Sequence, residues 1–400
     1  MQRPVRRAFT DDCTGRFLMA EQVTIHKGLD NIIIDESKLS LVNGTEGKLI
    51  YAGYKIEDLA ANALYEEVVF LLWEGRLPNK AELEALRSDI ARAAAVPQPV
   101  IDMLKATPRD ANPMAVLRTA MSALAYYDPD SEENTLEADR RKAVRLTGQC
   151  VTLCAAWPRI RRGDDIIAPR EDLTLAANFI YMLTGDPDDK VAADAINAFM
   201  VLLTEHGMNA STFVGRATTS TGADMHSAIV SAIGTLKGPA HGGANTEAMK
   251  MFIEIGDPAN VESWFNENIK SGKRRIMGIG HRVYKALDPR AAVLLDRARD
   301  LASGTRSSKW FDISEQLANL ARADQYFIER NLYPNVDYYS AIVLYTLNLE
   351  TDMFTPLFAM SRMAGWTAHI MEQLASNRLM RPDVLYTGPM DLTWVPVEER

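Results

Sequence analysis

Along most of the chain apolar residues recur every three to four positions and rarely alternate. In "KAELEALRSDIARAAAV" the apolar positions Leu83, Leu86, Ile90 and Ala94 share one helix face. The same spacing predicts helices over 113–126, 136–157, 173–183, 191–203, 225–236, 248–255, 291–301, 313–327, 340–349 and 356–374. Breakers separate these runs at Pro78, Gly185-Asp186-Pro187, Gly238-Pro239, Gly256-Asp257-Pro258, Asp288-Pro289 and Pro334. Residues 23–59 read differently. Ile32–Ile34 and Leu49–Tyr51 look like short strands, with turn signals at Asn43-Gly44 and Glu46-Gly47. The expected class is all-α with a small β element near the N-terminus.

A length of 400 residues exceeds the usual span of one core, so two domains and a ligand cleft between them are expected. A net charge of -9 argues against a general nucleic-acid binder, which needs a basic face, but leaves room for a basic pocket. Cys13, Cys150 and Cys154 form no disulfide framework, which fits a reducing, cytoplasmic setting. No stretch of eighteen apolar residues suggests a membrane span. The first residues mix Arg3, Arg6, Arg7 and Arg16 with Asp11 and Asp12, unlike an acid-poor transit peptide. Residues 1–22 are expected to be a disordered tail.

Six histidines are the scarce chemical resource. His26, His226 and His369 read as structural, although His369 lies seven residues after Arg362 on the same helix face. His241 sits in "LKGPAHGGAN" between two helices. At a helix N-terminus the dipole would hold its imidazole neutral, able to hydrogen-bond a carbonyl oxygen; it could equally be a loop histidine in a glycine-rich connector. His281 follows Gly278-Ile279-Gly280 inside a basic run, Lys273, Arg274, Arg275, Arg282, Lys285 and Arg290. That run suits a phosphorylated ligand, or is a solvated basic face. Asp337, just past Pro334, is either an N-cap or first-turn aspartate or a base; as a base it would have the dipole stabilising its carboxylate, so positioning would matter more than basicity. Arg362 lies in the apolar helix "PLFAMSRMAGWTAHIM", where a buried arginine needs an anionic ligand or a salt bridge. No His, Cys or carboxylate cluster has metal-ligand spacing, so no metal is expected.

Five segments in order, "EHGMNAST", "GPAHGGAN", "GIGHRVYKALDPR", "NVDYYS" and "SRMAGW", resemble the citrate synthase family. The opening "GLDNIIIDESKLSLVNGTEGKLIYAGYKIEDLA" is similar too, so the likeness runs from about Val23 to Arg400. It implies a large helical domain, 23–241 plus 343–400, and a small one, 242–342. It implies that Asp337 takes a methyl proton from acetyl-CoA, that His241 hydrogen-bonds the thioester oxygen, and that His281 polarises the ketone of oxaloacetate. His206, Asn209, Arg290 and Arg362 would contact that substrate, and Arg381 would reach it from the partner of a homodimer. Arg274, Arg275, Ile276, Gly278 and Gly280 would cradle CoA, which is a co-substrate and not a resident cofactor. The chemistry agrees, because removing a proton from a thioester methyl needs a donor at the carbonyl oxygen as well as a base. Close to this expectation stands a 2-methylcitrate synthase using propionyl-CoA. Further off stand a citryl-CoA lyase and a non-catalytic CoA-binding dimer.

Overall fold

The computed structural model describes residues 5–6, 22–29, 32–303 and 308–400. The chain divides into two compact units, Met1–Lys38 and Leu39–Arg400. In the first, Val5–Arg6 pairs antiparallel with Gln22–Val23. Most of the expected disordered tail 1–22 lies outside the described residues. Ile32–Ile34 forms no strand, contrary to its composition, and Ile33 is 91% exposed. Three successive isoleucines offer no buried face unless a partner strand covers them.

The second unit opens with the β element. Strands Ser40–Asn43, Lys48–Tyr51 and Tyr54–Lys55 form an antiparallel meander, with Ser40 opposite Tyr51 and Tyr51 opposite Tyr54. Leu49–Tyr51 was legible as a strand, but its partner is the segment at 40, not the isoleucines. Asn43 makes the turn, its side-chain oxygen accepting from the amides of Thr45 and Glu46.

Helices supply the rest: Ile56–Asn62, Tyr65–Glu74, Lys80–Ala93, Gln98–Ala106, Pro113–Ala123, Leu136–Arg162, Leu175–Thr184, Lys190–Leu203, Ala210–Ser220, Met225–Leu236, Ala244–Ile255, Pro289–Ala302, Lys309–Ala323, Val336–Thr346 and Phe354–Ala375 are the main ones. Many start on a side-chain cap. Asn79, Thr135, Thr174, Asn209, Asp224 and Asn335 each accept a hydrogen bond from a first-turn amide. The helix expected to end at Trp157 runs on through Pro158 to Arg162, stopping at Gly163 in the left-handed region.

Phe354–Ala375 is the axis of the unit. It packs against Leu136–Arg162, Ala210–Ser220, Met225–Leu236 and Lys190–Leu203. Nearly its whole length is buried, polar Ser361, Arg362, Thr367 and His369 included. Gly365 lets it pass close by, since a Cβ there would lie 2.1 Å from the Thr204 carbonyl oxygen. The neighbouring helix Ala210–Ser220 carries no apolar stripe, because small and polar residues (Ser211, Thr212, Gly215, Thr219) fill its buried faces.

Candidate active site

The site forms where a loop, two helix starts and the axial helix converge. Residues 276–281 run beside 332–335 through a short antiparallel contact. Ile279 bridges Pro334, the Gly280 amide donates to the Tyr333 carbonyl, and the Asn335 amide donates to the Gly278 carbonyl. The Asn335 side chain also donates to the Gly280 carbonyl at 2.7 Å. Gly278 is required here: φ is +79°, and a Cβ would lie 2.8 Å from Tyr338 Cα. This contact ties the loop of His281 to the helix of Asp337.

Two imidazoles are held by opposite nitrogens. His281 Nδ1 accepts from the amides of Val283 and Tyr284, at 3.1 and 3.2 Å, so in the neutral ring the proton sits on Nε2. His241 Nε2 accepts from the Ser211 amide at 3.2 Å, so its proton sits on Nδ1, and the Ser211 hydroxyl, whose own hydrogen goes to Asn209, lies beside the ring. Trp366 in turn donates to that hydroxyl. Burial pushes both imidazoles down to about 4, helped by Arg362 at His241 and Arg290 at His281. Both are therefore neutral at pH 7. His241 owes this to burial and Arg362, where the sequence suggested a helix dipole; its own ring closes the start of the helix Ala210–Ser220.

Asp337 lies in the first turn of Val336–Thr346, and burial raises its carboxyl to about 6 despite Arg290 and Arg362. Burial here outweighs the dipole that was expected to work against a base at this position. Asn335, the cap, already takes the amides of Asp337 and Tyr338, and no donor among the described residues reaches the Asp337 carboxylate. Burial without hydrogen-bond compensation favours the neutral acid.

A third imidazole, His206, hydrogen-bonds the Tyr284 hydroxyl at 3.1 Å and meets the His281 ring edge-on at 5.9 Å. Burial, then Arg290 and Arg362, push it well below its ordinary value. Arg290 is 3% exposed and bidentate on Asp288, both contacts at 2.9 Å. Burial opposes its charge, but Asp288 outweighs that and keeps the guanidinium protonated. Arg362 is 1% exposed; its Nε donates to the Leu203 carbonyl at 2.6 Å and its guanidinium stacks on Phe358. No carboxylate pairs with it among the described residues, so the ligand reading of this arginine gains over the salt-bridge reading.

The other two expected substrate contacts are placed as follows within the chain. The Asn209 side chain is occupied as a cap, accepting from Thr212 and Ser211 and donating to Thr212 and the Gly207 carbonyl. Arg381 is 76% exposed in the C-terminal segment, where Asp383 is its ion-pair partner.

Next to His281 opens a cavity of about 1050 Å³. Arg274, Arg275, Ile276 and Gly280 line it, with Lys270, Lys273, Arg282 and Arg330; Gly278 lies behind the wall, against Tyr338. Its size and basic rim suit a long polyanionic ligand.

Sequence reasoning missed the groups behind the site. Glu205, fully buried, accepts from His369 Nε2 at 3.0 Å, from the Ser40 hydroxyl at 2.9 Å and from the Gly207 amide. Arg216, 2% exposed, bonds Gln373 and Glu372. The signals were there, a charge before "HGMNAST" and an arginine within a run of small residues, but one chain shows no partners. Among the described residues no group of three His, Cys, Asp or Glu could hold a metal, and no helix is long and apolar enough to cross a membrane.

Neutral imidazoles with assigned protons, an acid near 6 and buried arginines beside a basic cavity define an all-α enzyme of acid–base chemistry on anionic substrates. The sequence model described as citrate synthase, C-terminal domain, matches residues 28–383. Citrate synthase 2 of Bacillus subtilis is 44% identical over 94% of this chain and 100% of its own length. A 2-methylcitrate synthase of Mycobacterium tuberculosis is 42% identical over 92% of each. The crystal structure of citrate synthase from Pyrobaculum aerophilum superposes with a TM-score of 0.89, at 36% identity, covering 98% of this chain and 100% of that one. A ternary complex of the Thermoplasma acidophilum enzyme with carboxymethyl coenzyme A and oxaloacetate superposes at 0.87, with 35% identity over 94% and 99%. The chain belongs to the citrate synthase family.

Proposed function

We propose that this enzyme condenses acetyl-CoA with oxaloacetate and water to give citrate and free CoA. The observation that carries the reading is the opposed proton placement: Nδ1–H on His241 and Nε2–H on His281, with a buried carboxyl on Asp337 that no donor among the described residues reaches. Asp337 takes a proton from the thioester methyl while His241 Nδ1–H hydrogen-bonds the thioester oxygen, so no full carbanion forms. The enol carbon bonds to the ketone carbon of oxaloacetate, and His281 Nε2–H gives a proton to the ketone oxygen, to be replaced from the water that cleaves the thioester, while the proton on Asp337 goes to the departing thiolate. Water then cleaves the citryl thioester and releases CoA. Arg290, Arg362 and His206 hold the two carboxylates, and the basic cavity takes the phosphates of CoA.

Closure of the unit 242–342 over 23–241 plus 343–400 would exclude water during enolisation. In the homodimer the partner's Arg381 completes the oxaloacetate site, which fits its exposure within one chain. A cytoplasmic setting agrees with free, buried Cys150 and Cys154. Thiol release on mixing the protein with oxaloacetate and acetyl-CoA tests the reaction. With propionyl-CoA in its place turnover should fall, one methyl being worth about 1–3 kcal/mol. Faster turnover with propionyl-CoA would make the protein a 2-methylcitrate synthase.

A further inference from the structure

Tyr284 has no part in the mechanism above, yet it touches both imidazoles on the oxaloacetate side. It is 3% exposed. Its amide donates to His281 Nδ1 at 3.2 Å, its hydroxyl meets His206 Nε2 at 3.1 Å, and its ring lies 5.0 Å from that of His281 and 5.6 Å from that of His206. The residue itself is fixed from outside. The Arg290 guanidinium stands over its ring at 5.6 Å, and the next amide, Lys285, donates to the Gly44 carbonyl in the hairpin turn.

We propose that Tyr284 is a positioning residue that sets the proton of both imidazoles, its amide placing that of His281 on Nε2 and its hydroxyl placing that of His206 on Nδ1. The first half follows from geometry, since an amide can only donate. The second rests on satisfaction of a buried hydroxyl. Among the described residues His206 Nε2 is the only hydrogen-bond partner of the Tyr284 hydroxyl. Burial keeps the phenol protonated. If His206 carried its proton on Nε2, the ring would donate to the tyrosine oxygen and the phenolic hydrogen would be buried with no acceptor, an expensive arrangement. With the phenol donating, both groups are satisfied. Nδ1–H of a neutral His206 is then the ring's one donor, and a substrate carboxylate needs a donor. With the proton on Nε2, the Nδ1 lone pair would meet that carboxylate and repel it.

This assignment rests on the oxaloacetate reading for its ligand but not for its geometry, and the two can fail separately. Nitrogen-15 NMR of histidine-labelled, ligand-free enzyme should show His206 with an unprotonated Nε2 and His281 with an unprotonated Nδ1. In Tyr284→Phe, which keeps the ring and the amide, His206 should move to a mixture of tautomers while His281 is unchanged. The same variant should raise the oxaloacetate KM by on the order of tenfold, with the acetyl-CoA KM within about twofold of wild type, a split that a loss of packing would not produce. His206 protonated on Nε2 in the wild-type protein overturns the proposal, whether or not the variant folds. So does an unchanged oxaloacetate KM in a folded Tyr284→Phe enzyme. A wild-type enzyme indifferent to oxaloacetate would refute the functional reading and leave the tautomer result standing.

Discussion

The wall of the site on the axial helix and the loop opposite it handle charge in contrasting ways. On the wall, Arg362, Arg216, Glu205 and His369 are all nearly inaccessible, and each is held by buried partners. On the loop side, Lys270, Lys273, Arg274, Arg275 and Arg330 are exposed, and several keep surface partners, such as Glu254 for Arg274 and Asp324 for Lys270. A buried charge interacts strongly but must be fixed in advance; an exposed one interacts weakly and is tolerant of position. A small dicarboxylate needs the first treatment and a long phosphorylated carrier the second. Asp337, whose carboxyl no donor holds among the described residues, lies where the two regions meet.

Breaking the meeting point should cost most. Asp337→Asn should keep oxaloacetate affinity and lower kcat on the order of a hundredfold or more; near-normal turnover removes Asp337 from the mechanism. In the wild type, kcat/KM should fall as pH drops below about 6, because the base must be ionised, while His241 and His281 stay neutral down to about 4. Stability has the opposite sign. The folded carboxyl titrates above its ordinary 3.8, so the advantage of the neutral acid is complete below that value and lost as pH rises through 6. At pH 8 the ionised side chain costs up to about 3 kcal/mol, less its partial exposure, and Asp337→Asn should therefore melt higher than wild type there. Equal melting temperatures would argue against the raised value. Mixed with Arg381→Ala subunits, the same variant also tests the shared site: activity should reappear on subunit exchange, up to roughly a quarter of wild type. No recovery after verified exchange would place Arg381 outside the partner's site.

The wall comes next. Arg362→Lys keeps a positive charge but loses the planar fork, so the oxaloacetate KM should rise roughly ten- to hundredfold with the acetyl-CoA KM little changed. A shift confined to acetyl-CoA would reverse the assignment of wall and loop. The smallest effect belongs to the loop. Arg330→Ala should raise the acetyl-CoA KM about two- to fivefold, and the difference should shrink at high salt. An effect as large as that of Arg362→Lys would mean that the cavity charges are not merely a diffuse field.

Much of this was legible in the chain. Helix spacing and breakers located most helices to within a few residues, because an apolar stripe facing one core leaves a period in the sequence. The motifs carrying His241, His281, Asp337 and Arg362 stood out because glycines, basic runs and a buried arginine are costly without a purpose. Ala210–Ser220 escaped because a helix buried on several sides by small residues has no stripe to read. Ile32–Ile34 misled because a strand requires a partner that composition does not name.

By itself, then, the sequence determined the helical class, the hairpin turn at Asn43 and the family the chain resembles, and it singled out candidates for the chemistry. Only tertiary structure decided which nitrogen of each imidazole bears the proton, since amides at 211, 283 and 284 do so from positions set by the packing of other elements. It also decided that Asp337 is a weaker acid than a first-turn aspartate should be. A pKa and a tautomer are properties of a surrounding: His241 takes its neighbours from 211 and 362, and Asp337 from 288, 290 and 362.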